Sequence, residues 1–364
     1  MAKRVGVDKW LFGVVLLLVL FGLVTVFSAS AVMAQSTLGS PYPYVMKQAI
    51  WAVLGLLAMV VLMQVDYRVY NNPRVVFPAV AVTMLLLIGV FAMPGSHATH
   101  RWVRFGDLFT FQPSELAKPV LVLFLAYFLQ TRIHQMDDWK GTILRAVAVP
   151  LAFTALILKE PDLGTGLVCM AVTGLMLYLA GARARYFAIG AALASPVLYF
   201  MLFHVAFRRA RMLAFINPEA DPKGAGFHIL QSLIAVGTGG IRGLGLMEGR
   251  QKLFYLPEVQ TDFIFANICE ELGLIGALLV LGLFVALGYR GFRAAFLSTD
   301  PFARFLAFGL TSAILIQAFF NMSVVLALLP TKGIPLPFIS SGGTSIFITL
   351  AGMGVLLNIT REID

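Results

Sequence analysis

Charge is what this sequence has least of. Only 12% of its 364 residues are Asp, Glu, Lys or Arg, about half the roughly 25% typical of a soluble domain. With 59% of residues hydrophobic and a mean hydropathy of +0.88, the chain cannot clothe a water-facing surface. That excludes a soluble protein and makes lipid its solvent. Acid is scarcer than base, 18 residues against 27. In a soluble protein that surplus would suggest nucleic acid; in a membrane protein it reflects loops that hold the chain in orientation, and no nucleic-acid partner is expected. Cysteine is nearly absent. Cys169 and Cys269 both lie inside apolar runs, which predicts core packing rather than a disulfide or a metal site.

What is present is a series of long apolar runs. Crossing a hydrocarbon core of roughly 30 Å takes about 20 mostly apolar residues. Runs of that kind begin near Trp10, Lys47, Val75, Ser114, Ile143, Asp162, Ala184, Phe263, Phe302 and Gly342. The expected fold is therefore an all-α polytopic membrane protein of about ten transmembrane helices, a single domain over residues 1–364. The first run, Trp10 to Phe27, follows Lys3, Arg4 and Lys9 and precedes Ala29-Ser30-Ala31, as in a secretory signal. A signal's apolar region is only about 7–15 residues, so this run reads as a retained helix.

Ten spans put both termini on one side, and Lys and Arg decide which. With the termini in the cytoplasm, fourteen of the 27 basic residues lie inside, among them Arg68, Arg74, Arg132, Arg183, Arg290 and Arg361. Of the rest, seven fall in one long segment, 206–261, between helices 7 and 8. Long loops are excluded from the positive-inside count, so fourteen face six and the orientation follows. That extracytoplasmic loop is too long for an ordinary connection. Its Arg208, Arg209, Arg211, Lys223, Arg242, Arg250 and Lys252 form a basic surface suited to an anionic ligand such as a phosphorylated lipid head group.

Five segments carry the remaining polar chemistry. In HRWVRFGDLFTFQPSELAKP, from His100 to Pro119, Trp102 and its Phe neighbours fit an interfacial re-entrant or amphipathic segment. Gln112 and Pro113 then start a helix. Glu115 and Lys118 follow at i, i+3, close enough to pair, facing a bundle interior or cavity rather than lipid. In KEPDLGT, from Lys159 to Thr165, Asp162 fits helix N-capping and a site role equally. The glycine-rich stretch from Gly237 to Gly249 matches no phosphate-binding pattern and reads as a bend. In LPEVQTDFIFANICEELGLIG, Asp262 sits where the long loop enters a helix, whose dipole favours its ionised form. Glu270 and Glu271 lie roughly 12 Å deeper, a depth that fits a proton or ion pathway. Last, LPTKGIPLPFISSGGTS, from Leu329 to Ser345, breaks the chain before the final helix, as irregular backbone does where it lines a cavity.

Together these segments resemble the SEDS family (shape, elongation, division and sporulation), the group of FtsW and RodA. The resemblance runs the length of the chain: SASA in the first helix, FQPSELAK, EPDLGT, RMLAFINPEADP from Arg211, LPE..TDFIFA..EELG and LP.PFISSGG. LLPTKGIPLPFIS and NPEADP are closer to FtsW, the division member, than to RodA. Two positions depart from the usual pattern: Gln260 stands where His is usual, and Ser341 where Tyr is usual. Both remain polar, which suggests a tuned site.

The resemblance implies a peptidoglycan glycosyltransferase that polymerises lipid II at the outer face of the cytoplasmic (inner) membrane. Asp262 maps onto the family's catalytic aspartate. Glu115 and Lys118 map onto its cavity residues in QPSELAK, and Asp162 onto the acidic residue in PDLGT. Arg101, Trp102, Arg208, Arg211, Gln231, Glu258, Ser340 and Ser341 join them as candidate substrate-binding residues. Expected companions are a divalent cation (Mg²⁺ or Mn²⁺), membrane lipids, other division or elongation proteins, and a class B penicillin-binding protein. That partner would supply the cross-linking activity for which this chain has no soluble domain. The alternative is a lipid II flippase or another lipid- or ion-coupled transporter, motivated by the depth of Glu270 and Glu271. Against it, no inverted repeat links the two halves.

Overall fold

The computed structural model describes residues 6–92, 101–105 and 109–362. Twelve α-helices follow one another: α1 (Lys9–Leu38), α2 (Pro43–Leu62), α3 (Pro73–Gly89), α4 (Pro113–Arg132), α5 (Leu144–Lys159), α6 (Leu163–Leu179), α7 (Ala184–Phe203), α8 (Ala206–Ile216), α9 (Phe227–Gly239), α10 (Ile264–Leu297), α11 (Pro301–Val325) and α12 (Gly343–Thr360). Among the described residues nine helices are long and apolar enough to cross a membrane. Two shorter apolar helices, the 17-residue α6, about 26 Å at 1.5 Å per residue, and the 13-residue α9, accompany them. The chain is thus an all-α multi-pass membrane protein.

Helix starts are written in the sequence. Pro43, Pro73, Pro113 and Pro301 each open a helix, where a missing N–H costs nothing and φ is preset. Asp8, Asn72, Asp162 and Asp300 accept backbone N–H groups at the starts of α1, α3, α6 and α11, satisfying donors that would otherwise be orphaned. Helices α4, α11 and α12 carry the most enclosed faces. At the other extreme, α7 buries only Tyr186. Outward-facing Leu17, Leu85, Leu193, Leu278 and Phe319 are exposed, far more apolar surface than a soluble monomer carries.

The two ends of the chain meet. The Asp8 N–H donates to Thr360 Oγ1 at 3.2 Å, and Arg290 Nε donates to Asp8 Oδ2 at 2.6 Å. Arg68 Nη1 pairs with Glu362 at 2.7 Å. The start of α1 and the ends of α10 and α12 therefore share one face of the bundle.

Beside Trp102, Val103–Phe105 (β1) and Phe109–Phe111 (β2) form an antiparallel hairpin with Val103 opposite Phe111 and Phe105 opposite Phe109. Its β-branched and aromatic residues suit a strand pair. His100, quoted with that motif, lies outside the described residues. The long segment 206–261 holds α8 and α9, after which the glycine-rich stretch turns back against α10.

That return explains the glycines. Helix α10 is broken at Gly273 (φ 64°, ψ −158°), a backbone conformation open to glycine. The break frees peptide groups that need partners. The 240–245 stretch supplies them: Leu244 and Gly245 N–H donate to the Glu270 and Glu271 carbonyls at 3.0 Å, and Leu274 N–H donates to the Gly240 carbonyl at 2.9 Å. A Cβ at Gly243 would collide with the Glu271 backbone. The stretch is a bend, as expected, and also the splint of a broken helix.

Candidate active site

Asp262 stands two residues before α10, on backbone held by the irregular segment 326–342. Ser341 N–H donates to the Gln260 carbonyl at 2.8 Å. Ser340 Oγ donates to the Thr261 carbonyl at 2.6 Å. Asn321 Nδ2, on α11, donates to the Asp262 carbonyl at 2.8 Å and the Ile334 carbonyl at 2.7 Å, tying both strands of the site to one buried side chain. The two positions that depart from the usual family pattern, Gln260 and Ser341, are therefore joined through their backbones. Gly333 faces the aspartate so closely that a Cβ there would stand 2.7 Å from Asp262 Oδ2.

The Asp262 carboxyl opens into a cavity of about 460 Å³, whose charged lining is Arg101, Asp162, Arg208, Arg211, Asp262 and Lys332. Four cations against two carboxylates make this a basin for an anion. The positive end of α10 favours an ionised Asp262, but burial dominates. Desolvation first, then Glu258 and Asp162, push the carboxyl up to about 7, with Arg101 and Arg211 opposing. Lys332 is pushed down to about 8 by burial and then by Arg208.

Asp162 caps α6 and also stands in the cavity wall. Its carboxylate accepts the Thr165 N–H at 3.1 Å and the Thr165 hydroxyl at 2.8 Å. Arg101 is held there by the peptide carbonyls of Glu160 and Pro161, and Arg211 reaches the Thr331 carbonyl at 3.5 Å.

Other candidates lie elsewhere. Glu115 and Lys118 form the expected buried pair at 2.9 Å but line a separate space of about 40 Å³. Lys118 also contacts Gln317, whose Nε2 donates to the Pro335 carbonyl at 2.8 Å. The pair thus braces the segment over Asp262 rather than entering its cavity. Trp102 is exposed beside Arg101, and Gln231 is half-buried in α9; neither lines the cavity. Glu258 is exposed and accepts the Thr261 hydroxyl at 3.0 Å. Ser340 and Ser341 act on backbone, as above.

Glu270 and Glu271 are fully engaged. Glu270 accepts the Arg250 N–H at 2.9 Å and the Gln251 N–H at 3.2 Å. Glu271 pairs with Lys252 at 2.6 Å and accepts the Ser28 hydroxyl of α1 at 2.6 Å. Their depth is explained by holding the returning segment against α1 and α10. Cys169 and Cys269 are free and buried.

Sequence reasoning passed over Lys332, Gly333, Asn321 and Gln317. Lys332 had a usable signal, as the one cation inside the proline-broken segment. Asn321 and Gln317 sit in a mostly apolar membrane helix, where a buried amide is itself a pointer.

With this geometry in place, the chain can be set beside known proteins. The family model described as cell cycle protein FtsW/RodA/SpoVE matches residues 8–364. A probable peptidoglycan glycosyltransferase FtsW of Geobacter metallireducens is 44% identical over 346 residues, 94% of this chain and 91% of that one. The stage V sporulation protein E of Bacillus subtilis is 38% identical over 363 residues, 99% and 98% of the two chains. Among solved structures, a chain from a peptidoglycan synthase complex that coordinates polymerization and crosslinking superposes with a TM-score of 0.78 at 27% identity, covering 98% of this chain and 99% of that one. The rod shape determining protein RodA of Thermus thermophilus gives 0.70 at 25% identity, covering 98% and 97%.

Proposed function

The chain belongs to the FtsW/RodA/SpoVE family of cell cycle proteins, and from that premise we propose that it is a peptidoglycan glycosyltransferase using lipid II, with Asp262 as general base. The observation that carries the reading is the Asp262 carboxyl facing a cavity that four cations line, where the other carboxylate, Asp162, is engaged in capping α6. In the reaction an acceptor sugar hydroxyl attacks the anomeric carbon of the donor. The new C–O bond forms as the bond to the pyrophosphate oxygen breaks. The hydroxyl proton passes to Asp262, and undecaprenyl pyrophosphate leaves with the electron pair.

Pyrophosphate needs no proton to depart, so the second carboxylate that glycosidases use as general acid is not required. One base contributes about 10²–10⁴ in rate, most effectively when its pKa lies near the working pH, and Asp262 at about 7 is so placed. Arg101, Arg208, Arg211 and Lys332 are positioned to meet the charge that develops on the pyrophosphate. Among the described residues no three His, Cys, Asp or Glu are grouped to hold a metal ion. A divalent cation would accompany the pyrophosphate, coordinated mainly by phosphate and water, and no step above runs through it.

The charge distribution supports cytoplasmic termini and a cavity opening to the outer face of the inner membrane. Likeness to a chain of a peptidoglycan synthase complex supports assembly with a class B penicillin-binding protein. Transport rested on Glu270 and Glu271, and both have structural partners.

The test uses labelled lipid II, with purified protein alone and with its penicillin-binding partner, read for glycan polymer and for lipid II flux across liposomes. Polymer without flux is expected. Flux without polymer would replace the proposal with transport.

A further inference from the structure

One carboxyl beside the cavity is unused by the mechanism above. Glu160, at the end of α5, is 0% exposed, and neither of its carboxylate oxygens has a hydrogen-bond partner among the described residues. Its turn nevertheless belongs to the site. Arg101 Nε donates to the Glu160 carbonyl at 2.8 Å and the same guanidinium reaches the Pro161 carbonyl, while Asp162 follows on the cavity wall. A carboxylate stripped of water and left unpaired is so unfavourable that the group keeps its proton instead. Burial first and Asp162 second push Glu160 up to about 8, with Arg101 opposing.

We propose that Glu160 works as a neutral carboxylic acid and is a positioning residue for Arg101. While it is uncharged, the two peptide carbonyls hold the guanidinium, and its charge is turned to the cavity for an anionic pyrophosphate. Once ionised, Glu160 is a competing counter-charge that draws Arg101 away from that ligand. The identity of the ligand rests on the glycosyl-transfer reading; the protonation state does not.

The charged groups around Glu160 are Lys159 and Asp162 on its own turn and Arg101 before β1. Across the cavity stand Asp262 before α10, Lys332 in the 326–342 segment, and Arg208 and Arg211 on α8. Asp262 and Lys332 titrate in the same range, so the experiment must separate them.

The first arm is infrared spectroscopy of the full-length protein in lipid nanodiscs across neutral to alkaline pH, for wild type and Glu160→Gln. A carbonyl band of a protonated carboxyl free of hydrogen bonds is expected near neutrality, fading on alkalinisation and absent from the variant. Its absence from wild type at neutral pH overturns the proposal whatever the protein's activity. The second arm measures binding of undecaprenyl pyrophosphate at about pH 7 and about pH 9. Wild type is expected to lose roughly tenfold in affinity at the higher pH, as for one charge-assisted contact. Glu160→Gln should bind within about twofold of wild type at neutral pH and lose clearly less affinity than wild type at the higher pH, where the fading charge of Lys332 still acts.

A folded Glu160→Gln that binds more than about tenfold more weakly at neutral pH overturns the proposal. So does an alkaline loss that persists in full in Glu160→Gln but disappears in Lys332→Met. Failure of wild type to bind the probe at all, with the infrared band present, refutes the glycosyl-transfer reading and with it the role given to Arg101.

Discussion

Breaking the pair of Lys252 with Glu271 should cost more than any other single polar change outside the cavity. Both side chains are 2% exposed and 2.6 Å apart, and the Ser28 hydroxyl is the other donor to the Glu271 carboxylate. Lys252→Met leaves a buried carboxylate with one neutral donor. Removing one partner of a buried pair costs about 3–5 kcal/mol, which raises the unfolded fraction by roughly two to three and a half decades at about 1.4 kcal/mol per decade. The double variant Lys252→Met/Glu271→Gln removes both charges and should recover most of the loss, because replacing a whole buried pair by neutral groups is often nearly free. The assay is denaturant or thermal unfolding in a fixed detergent, run as a double-mutant cycle with Glu271→Gln. A single-variant loss below about 1 kcal/mol, or a double variant as unstable as the sum of the singles, would refute the reasoning.

Three further outcomes follow from the cavity. Polymerisation by wild type should rise about tenfold per pH unit below pH 7 and level off above it, because the base works only when ionised and Asp262 is pushed up to about 7; a rate independent of pH from about 5 to 8 would contradict this. The same raised carboxyl has a sign for stability. The native state keeps a proton that the unfolded state has lost, so stability falls as pH rises between the ordinary 3.8 and about 7, and Asp262→Asn should unfold at a higher temperature than wild type at about pH 8. Gly333→Ala should lower turnover by about 10²-fold with little change in unfolding temperature, since its Cβ would stand 2.7 Å from Asp262 Oδ2 and displace the base by up to about 1 Å.

Much of the architecture was legible because lipid imposes strong rules. Apolar runs of spanning length gave the helices, Pro113 gave the start of one of them, and Glu115 with Lys118 at i, i+3 gave a buried pair that the structure contains. Asp262 was placed at the entry of a helix by its position, and its catalytic role came from the family resemblance of TDFIFA. What the sequence hid was tertiary. Spacing within one helix cannot reveal that Glu115 and Lys118 reach toward Gln317 instead of the Asp262 cavity. Nor can it reveal that the depth of Glu271 is answered by Lys252 and Ser28, residues 19 and 243 positions away. The place of Gly333, and of Lys332 beyond its being the one cation in that segment, was hidden in the same way: the irregular segment carries them back over Asp262 through contacts such as Asn321 with the Asp262 and Ile334 carbonyls, and no periodicity encodes that return.

The central claim is that Asp262 acts on the reacting hydroxyl while the surrounding cations hold the substrate. The most direct measurement takes one preparation each of wild type and Asp262→Asn and determines lipid II affinity and single-turnover glycosidic-bond formation side by side. The account predicts affinity within a few-fold of wild type and bond formation reduced by about 10²–10⁴. A variant that binds lipid II and forms bonds at the wild-type rate would contradict it.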